Sequence, residues 1–159
     1  MNPVKKARIR EFLEADLVPV HRLIHRTIDS CYTEVYPPRA VQFFKKFHSE
    51  EEILARSQNG KILVIEQDGK LIATGTLVGG DIFGVFVLPE FQHYGCGRAL
   101  MGELENRAKA KGCPELELSV SLPSRGFYEG LGYQMMEQDS IDVGEGQRLN
   151  FWKARKSLP

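Results

Sequence analysis

The stretch Lys61 to Leu88 constrains the fold most. It reads KILVIEQ, Asp68-Gly69, KLIATGTLV, Gly79-Gly80, DIFGVFVL. Two apolar runs separated by a two-residue Asp-Gly signal form a hairpin, and the glycine pair turns the chain into a third consecutive strand. Gly84 interrupts that third strand, and an interior glycine there marks a bulge or a close backbone approach. Three strands in a row with helical patterns on either side indicate a mixed, largely antiparallel α+β sheet.

The flanking pattern completes the architecture. Arg8 to Leu13 alternates as a first strand. Ala15-Asp16 offers an N-cap to a helix in which Leu17, Val18, Val20, Leu23, Ile24 and Ile28 recur at helical spacing, ending near Ser30. Pro38 opens a second helix through Phe47, with Phe43, Phe44 and Phe47 read as packing residues. Ser49-Glu50-Glu51-Glu52 resembles a capping box before a third helix that Asn59-Gly60 stops. After the three strands, Ala99, Leu100, Leu104 and Ala108 mark a helix that ends at Lys111-Gly112. Glu115 to Val120 alternates as a strand, and Pro123 opens a short helix through Tyr128. Tyr133–Gln138 and Arg148–Lys153 form a last antiparallel pair through Gly144, with a free tail from about Lys156.

The sequence has 159 residues, which predicts one domain over 1–159 with its core at about 8–153. Basic and acidic residues, 21 of each, cancel. A protein that binds nucleic acid by counterion release carries a basic excess, so no nucleic-acid partner is expected. No apolar run is long enough to cross a membrane, and Met1 to Arg10 lacks the apolar core of a signal peptide. Cys31, Cys96 and Cys113 are too few and too scattered for a disulfide scaffold or a metal site. His21 and His25 sit at i, i+4, but HRLIH has Arg where a zincin has Glu and no third ligand is evident. The expectation is a reduced, cytoplasmic protein without a metal.

The chemistry concentrates in Val85 to Met101, a strand, a glycine loop and a helix. Amides in such a loop, backed by a helix N-terminus, form an anion site. Gly95 and Gly97 let backbone approach a phosphate without a Cβ, and Arg98 adds charge. The dinucleotide pattern GxGxxG fails because Leu100 holds the third glycine position, and the P-loop fails because Glu103 follows Gly102. What remains is Gln92-x-x-Gly95-x-Gly97.

Gln92-His93-Tyr94-Gly95-Cys96-Gly97 resembles the Q/R-x-x-G-x-G/A signature of the GNAT superfamily of N-acetyltransferases. Val85-Phe86-Val87-Leu88-Pro89 and Ala99-Leu100-Met101 match its flanks. Ser124 to Tyr133 (SRGFYEGLGY) is similar to that family's FYExLGF/Y segment, and the element order agrees from about Arg8 to Lys153. The resemblance implies a mostly antiparallel seven-stranded sheet with a splayed parallel pair, Asp81–Leu88 and Glu115–Val120, flanked by four to five helices.

It also implies a reaction. The resemblance places acetyl-CoA in the opening between the parallel strands, as the acyl donor. Backbone groups of Phe86 and Val87 pair with the pantetheine, and amides of Gln92, His93, Tyr94, Gly95, Cys96, Gly97 and Arg98 hold the pyrophosphate. Cys96 itself is read as packing. Tyr128 matches the tyrosine that serves as general acid toward the departing thiolate, and Asp81 has the spacing from Gln92 of a base carboxylate. Ser121 stands where the family often has a cofactor-contacting Asn, and Arg125 is a candidate for a cofactor phosphate. Tyr32, Tyr36 and His48 lie in the segment that walls the acceptor site. The acceptor is a small-molecule or peptide amine, and family members often form homodimers. Two alternatives stay open: a non-catalytic acyl-CoA-binding or regulatory module on the same fold, and transfer of a longer acyl group.

Overall fold

The Asp68-Gly69 turn joins β2 (Lys61–Gln67) to β3 (Lys70–Val78) in antiparallel register from Gln67↔Lys70 to Lys61↔Leu77. This is a computed structural model that describes residues 7–159, so the first six residues of the basic opening segment Met1–Arg10 lie outside it. β1 (Arg8–Glu11) pairs antiparallel with β2, and β4 (Asp81–Val87) pairs antiparallel with β3. β5 (Glu115–Ser121), β6 (Gln134–Gly144) and β7 (Gln147–Ser157) complete one seven-stranded sheet of order β1-β2-β3-β4-β5-β7-β6. The described helices are α1 (Leu17–Cys31), α2 (Pro38–Phe47), α3 (Glu50–Asn59), α4 (Cys96–Ala110) and α5 (Arg125–Gly130). This is the mixed α+β architecture expected.

Among the described strands only β4 and β5 run parallel. Parallel neighbours need a crossover, and α4 supplies it. Alternation on β3 separates the two faces of the sheet. A Cβ on Gly75 would lie 2.9 Å from Leu104 and 3.2 Å from Leu100 of α4. Its neighbour Thr76 faces the other side, toward His48, where α1, α2 and α3 pack. Leu63, Ile72, Leu77, Ile82, Leu100, Leu104 and Leu116 are almost fully enclosed. Truncating a residue of this kind to Ala costs about 2–5 kcal/mol.

Four local expectations need correction. The final strands are longer than their apolar alternation showed, because β6 and β7 continue as a two-stranded ribbon, mostly exposed beyond β5, as far as the Gly144↔Gln147 pair. The expected free tail is docked: Lys156 Nζ donates to Glu105 at 3.1 Å and to the Leu131 carbonyl at 2.7 Å, and Leu158 N donates to Pro114 O. The first strand stops at Glu11 rather than Leu13, although Phe12 N still donates to Ile62 O. Asp16 does precede α1, but its carboxylate caps nothing there. It accepts from Leu13 N at 2.7 Å and from Arg10 at 2.7 and 3.0 Å, and the Arg10 guanidinium holds its carboxyl below the usual range. Ser49, by contrast, caps α3 as read, accepting from Glu52 N at 3.3 Å.

Candidate active site

The site begins with a bulge. Thr76 pairs with Phe83 and Thr74 with Phe86, so one residue of β3 faces two of β4. Gly84 takes φ +64 at this point, a left-handed value that other residues adopt only with strain. The extra residue changes the parity of the strand. Phe83 before the bulge and Phe86 after it therefore both face α2 and His48.

β4 then parts from β5. Their ladder consists of one register pair, Asp81↔Glu117, anchored by Glu117 N donating to Gly80 O at 3.1 Å. Beyond it the β5-facing edge of β4 has no ladder partner among the described residues. Free backbone donors and acceptors on a strand edge suit an extended amide-bearing arm. A cleft of about 730 Å³ occupies this region, lined by Asp81 through Phe86, Glu117, Ser121, Tyr128 and His48 among others.

Tyr128 is 8% exposed, and its hydroxyl makes no hydrogen bond among the described residues while lining the cleft. Burial, with Tyr32 nearby, pushes its pKa well above the ordinary phenol value, so it stays protonated at neutral pH. Beside it runs a chain of hydroxyls. Tyr32 Oη donates to Ser121 Oγ at 3.1 Å, and Ser121 Oγ lies 2.7 Å from Ser124 Oγ.

His48 is 4% exposed and stands edge-on to Phe86, with ring centroids 5.2 Å apart. Arg56 donates to its Nδ1 at 2.9 Å. A guanidinium only donates, so Nδ1 is the acceptor and the neutral ring carries its proton on Nε2. Burial and the adjacent Arg56 push the His48 pKa down to about 3. Arg56 is itself enclosed. It also donates to the Phe47 carbonyl, and its guanidinium carbon sits 4.5 Å from the Phe47 ring centre and 4.8 Å from that of Phe83.

The glycine loop lies outside this cleft, at the start of α4. Gln92 Nε2 donates to Val87 O at 2.9 Å, which ties the loop to the end of β4, and Gln92 N donates to Pro89 O. The amides from His93 to Arg98 find no acceptor among the described residues beyond any made inside α4, and the first amides of a helix have none within it. These amides fit an anion. Cys96 is buried, as read, while His93, Tyr94 and Arg98 are exposed. At Gly97 a Cβ would come within 2.9 Å of the Phe127 ring, so the close approach the glycine allows is that of an aromatic ring.

Among the expected site residues the structure brings Asp81, Phe86, Ser121, Tyr128, Tyr32 and His48 to one cleft. Tyr36 is not among its lining. Its hydroxyl donates to Asn150 O and accepts from Leu122 N, which holds the segment before α5 in place. Arg125 is engaged by Glu129 at 3.3 Å and by the Trp152 ring at 4.3 Å. The packing role expected for Phe43 and Phe47 holds only in part: they are 37% and 44% exposed and line the cleft, although Phe47 also packs against Arg56 and Phe83. Phe44 packs as read, against Tyr32 and Tyr36. Sequence reasoning missed Arg56, Phe83, Glu117 and Ser124. The signal for the phenylalanines was an apolar arc on α2 wider than one packed face requires.

Sequence comparison assigns this fold to a family. The acetyltransferase (GNAT) family profile matches residues 22–133. The chain belongs to the GNAT acetyltransferase family. Among solved structures it is similar to a GCN5-related N-acetyltransferase from Rhodopseudomonas palustris, with TM-score 0.87 and 20% identity over 97% of each chain. It is also similar to the PaiA N-acetyltransferase from Thermoplasma acidophilum in complex with coenzyme A, with TM-score 0.78 and 20% identity over 96% of this chain and 99% of that one. A third is the ribosomal-protein-S18-alanine N-acetyltransferase from Escherichia coli, with TM-score 0.70 and 19% identity over 95% and 93%. At these identities the likeness is one of fold. No helix among the described residues is long and apolar enough to cross a membrane.

Proposed function

We propose that this protein moves the acetyl group of acetyl-CoA directly onto a primary amine. The observation that carries the reading is the protonated Tyr128 hydroxyl, without a hydrogen-bond partner among the described residues, in the cleft where β4 and β5 part. Acetyl-CoA supplies the activated acyl group and a thiol leaving group. The amides of His93 to Arg98 hold its pyrophosphate at the start of α4. The free edge of β4 around Phe86 and Val87 receives the pantetheine, with Ser121 beside it. Asp81 accepts the proton the amine loses, directly or through water, and Tyr128 donates one to the departing sulfur. Fixing the amine and the acyl group in one cleft lowers the entropic part of the barrier. A cytoplasmic setting is consistent with three free cysteines.

The test pairs calorimetric titration of acetyl-CoA with turnover of an amine panel, on the wild type and on Tyr128→Phe. Saturable binding to both, with turnover in the wild type and a large loss in the variant, is expected. Tight binding with no turnover in either protein would instead make the chain an acyl-CoA-binding module. No acetyl-CoA binding by a folded sample sinks the assignment.

A further inference from the structure

We infer that the acceptor of this cleft is a primary amine with a single positive charge and a bulky apolar body, rather than a polyamine or another polycation. The inference rests on the acetyl-transfer reading and adds the acceptor class to it.

Large apolar side chains seldom stay exposed together unless something covers them. Nine are exposed among the described residues, and four of them, Phe43, Phe47, Met136 and Ile141, line this one cleft. Phe43 and Phe47 come from α2 and stack nearly parallel, 10° apart, with centroids 6.3 Å apart. Met136 and Ile141 come from β6, and Phe83 and Phe151 widen the apolar surface from the sheet. A concave apolar wall with a few polar groups at one end is the usual form of a small-molecule site.

Charge sets the rest of the class. Asp81 and Glu117 are register partners where β4 meets β5, and neither takes part in an ion pair among the described residues. Of the lining carboxylates, Glu117 has Arg155 as its register partner on β7 and Glu137 has Lys153, which also pairs with Asp139 at 3.4 Å, whereas Asp81 has no basic partner among the described residues. One ammonium matches that carboxylate. Behind the apolar wall Arg56 is held against Phe47, Phe83 and His48. Its positive charge, only partly screened in that enclosed position, opposes a second cationic group lying along the wall.

The experiment titrates the full-length protein with 2-phenylethylamine and with spermidine, each with and without CoA, and repeats this with Phe47→Ala and Met136→Ala. The expected result is that 2-phenylethylamine binds at least tenfold more tightly than spermidine. Each variant should weaken 2-phenylethylamine at least fivefold and leave spermidine and CoA affinity within twofold. Met136 is exposed, so its variant keeps the test valid if Phe47→Ala disturbs α2. Spermidine binding as tightly or more tightly, or 2-phenylethylamine binding unchanged by both variants, overturns the inference. Failure of CoA to bind would overturn the proposed reaction instead, and the amine ranking measured without CoA still decides the acceptor class.

Discussion

The Arg56 guanidinium donates to Nδ1 of His48 at 2.9 Å, deep beside the β4 bulge. Burial, with the positive charge of Arg56 and then His25 nearby, disfavours the imidazolium and lowers the His48 pKa to about 3. An unfolded chain takes up this proton near pH 6.5, whereas the folded one does not until about pH 3. Stability from His48 is therefore fully present above about pH 6.5 and is lost as pH falls toward the folded value, at up to about 1.4 kcal/mol per pH unit. In Arg56→Gln one of the three causes is gone, so the His48 ring should titrate at higher pH and the acid-side slope should narrow to a smaller window. Proton NMR of the ring and urea melts at a series of pH values check both. A His48 resonance that titrates near 6.5 in the wild type would contradict the arrangement.

Tyr128→Phe removes one oxygen from a cleft wall and no hydrogen bond among the described residues. Its stability should change little, while kcat falls by about 10²–10⁴ if the phenol donates a proton in the rate-limiting step. Because burial raises the Tyr128 pKa, the wild type should keep its activity through pH 9–10 without an alkaline limb from this group. Steady-state kinetics with a thiol-reactive reporter of released CoA measure this. An unchanged kcat in the variant removes Tyr128 from the chemistry.

Much of the fold was legible because its signals are local. Asp68-Gly69, Gly79-Gly80 and Asn59-Gly60 fall where strands and helices end, since turn geometry is written in two or three adjacent residues. The extent of β6 and β7 was not, because these strands lie mostly in the open and their side chains carry little alternation to read. The site divides in the same way. Asp81, Phe86, Ser121 and Tyr128 stand on or beside segments that resemble family motifs, and that resemblance pointed to them. Arg56 could not be found, because an arginine in the last turn of a helix reads as a solvated charge. Only the tertiary structure brings Phe47 of α2 and Phe83 of β4 to it and encloses it between two rings. Tyr36 errs the other way. A polar aromatic near the acceptor wall suggested a substrate contact, and its hydroxyl instead spans Asn150 and Leu122.

Gly97 and Phe127 should behave as a coupled pair. A Cβ at Gly97 would stand 2.9 Å from the Phe127 ring, and overfilling a contact of this kind costs about 1–3 kcal/mol. Phe127 is 40% exposed and has room to swing outward, which puts Gly97→Ala near the lower figure. Phe127→Ala should cost little alone and should relieve the Gly97→Ala penalty. A double-mutant cycle by chemical denaturation measures the coupling. Additive effects would mean that the ring does not hold its place over the helix start. The same cycle separates steric damage from electrostatic repulsion when Gly97→Glu is used to block acetyl-CoA.

Asp81 and Glu117 sit side by side on the two parting strands, so the structure offers two carboxylates for one base. Position favours Asp81, which is on the bulged strand with Phe86 and at the start of the segment leading to the glycine loop. Asp81→Asn should lower kcat/KM about 100-fold at pH 7, within the usual range for a lost general base. Glu117→Gln should stay within a few-fold of the wild type. Raising the pH supplies more amine already deprotonated. If Asp81 removes the proton, the Asp81→Asn deficit should therefore shrink toward pH 10, whereas if it only attracts the ammonium the deficit should persist in KM. A pH series of kcat and KM for the three proteins distinguishes these outcomes. A deficit confined to Glu117→Gln would transfer the base role to β5.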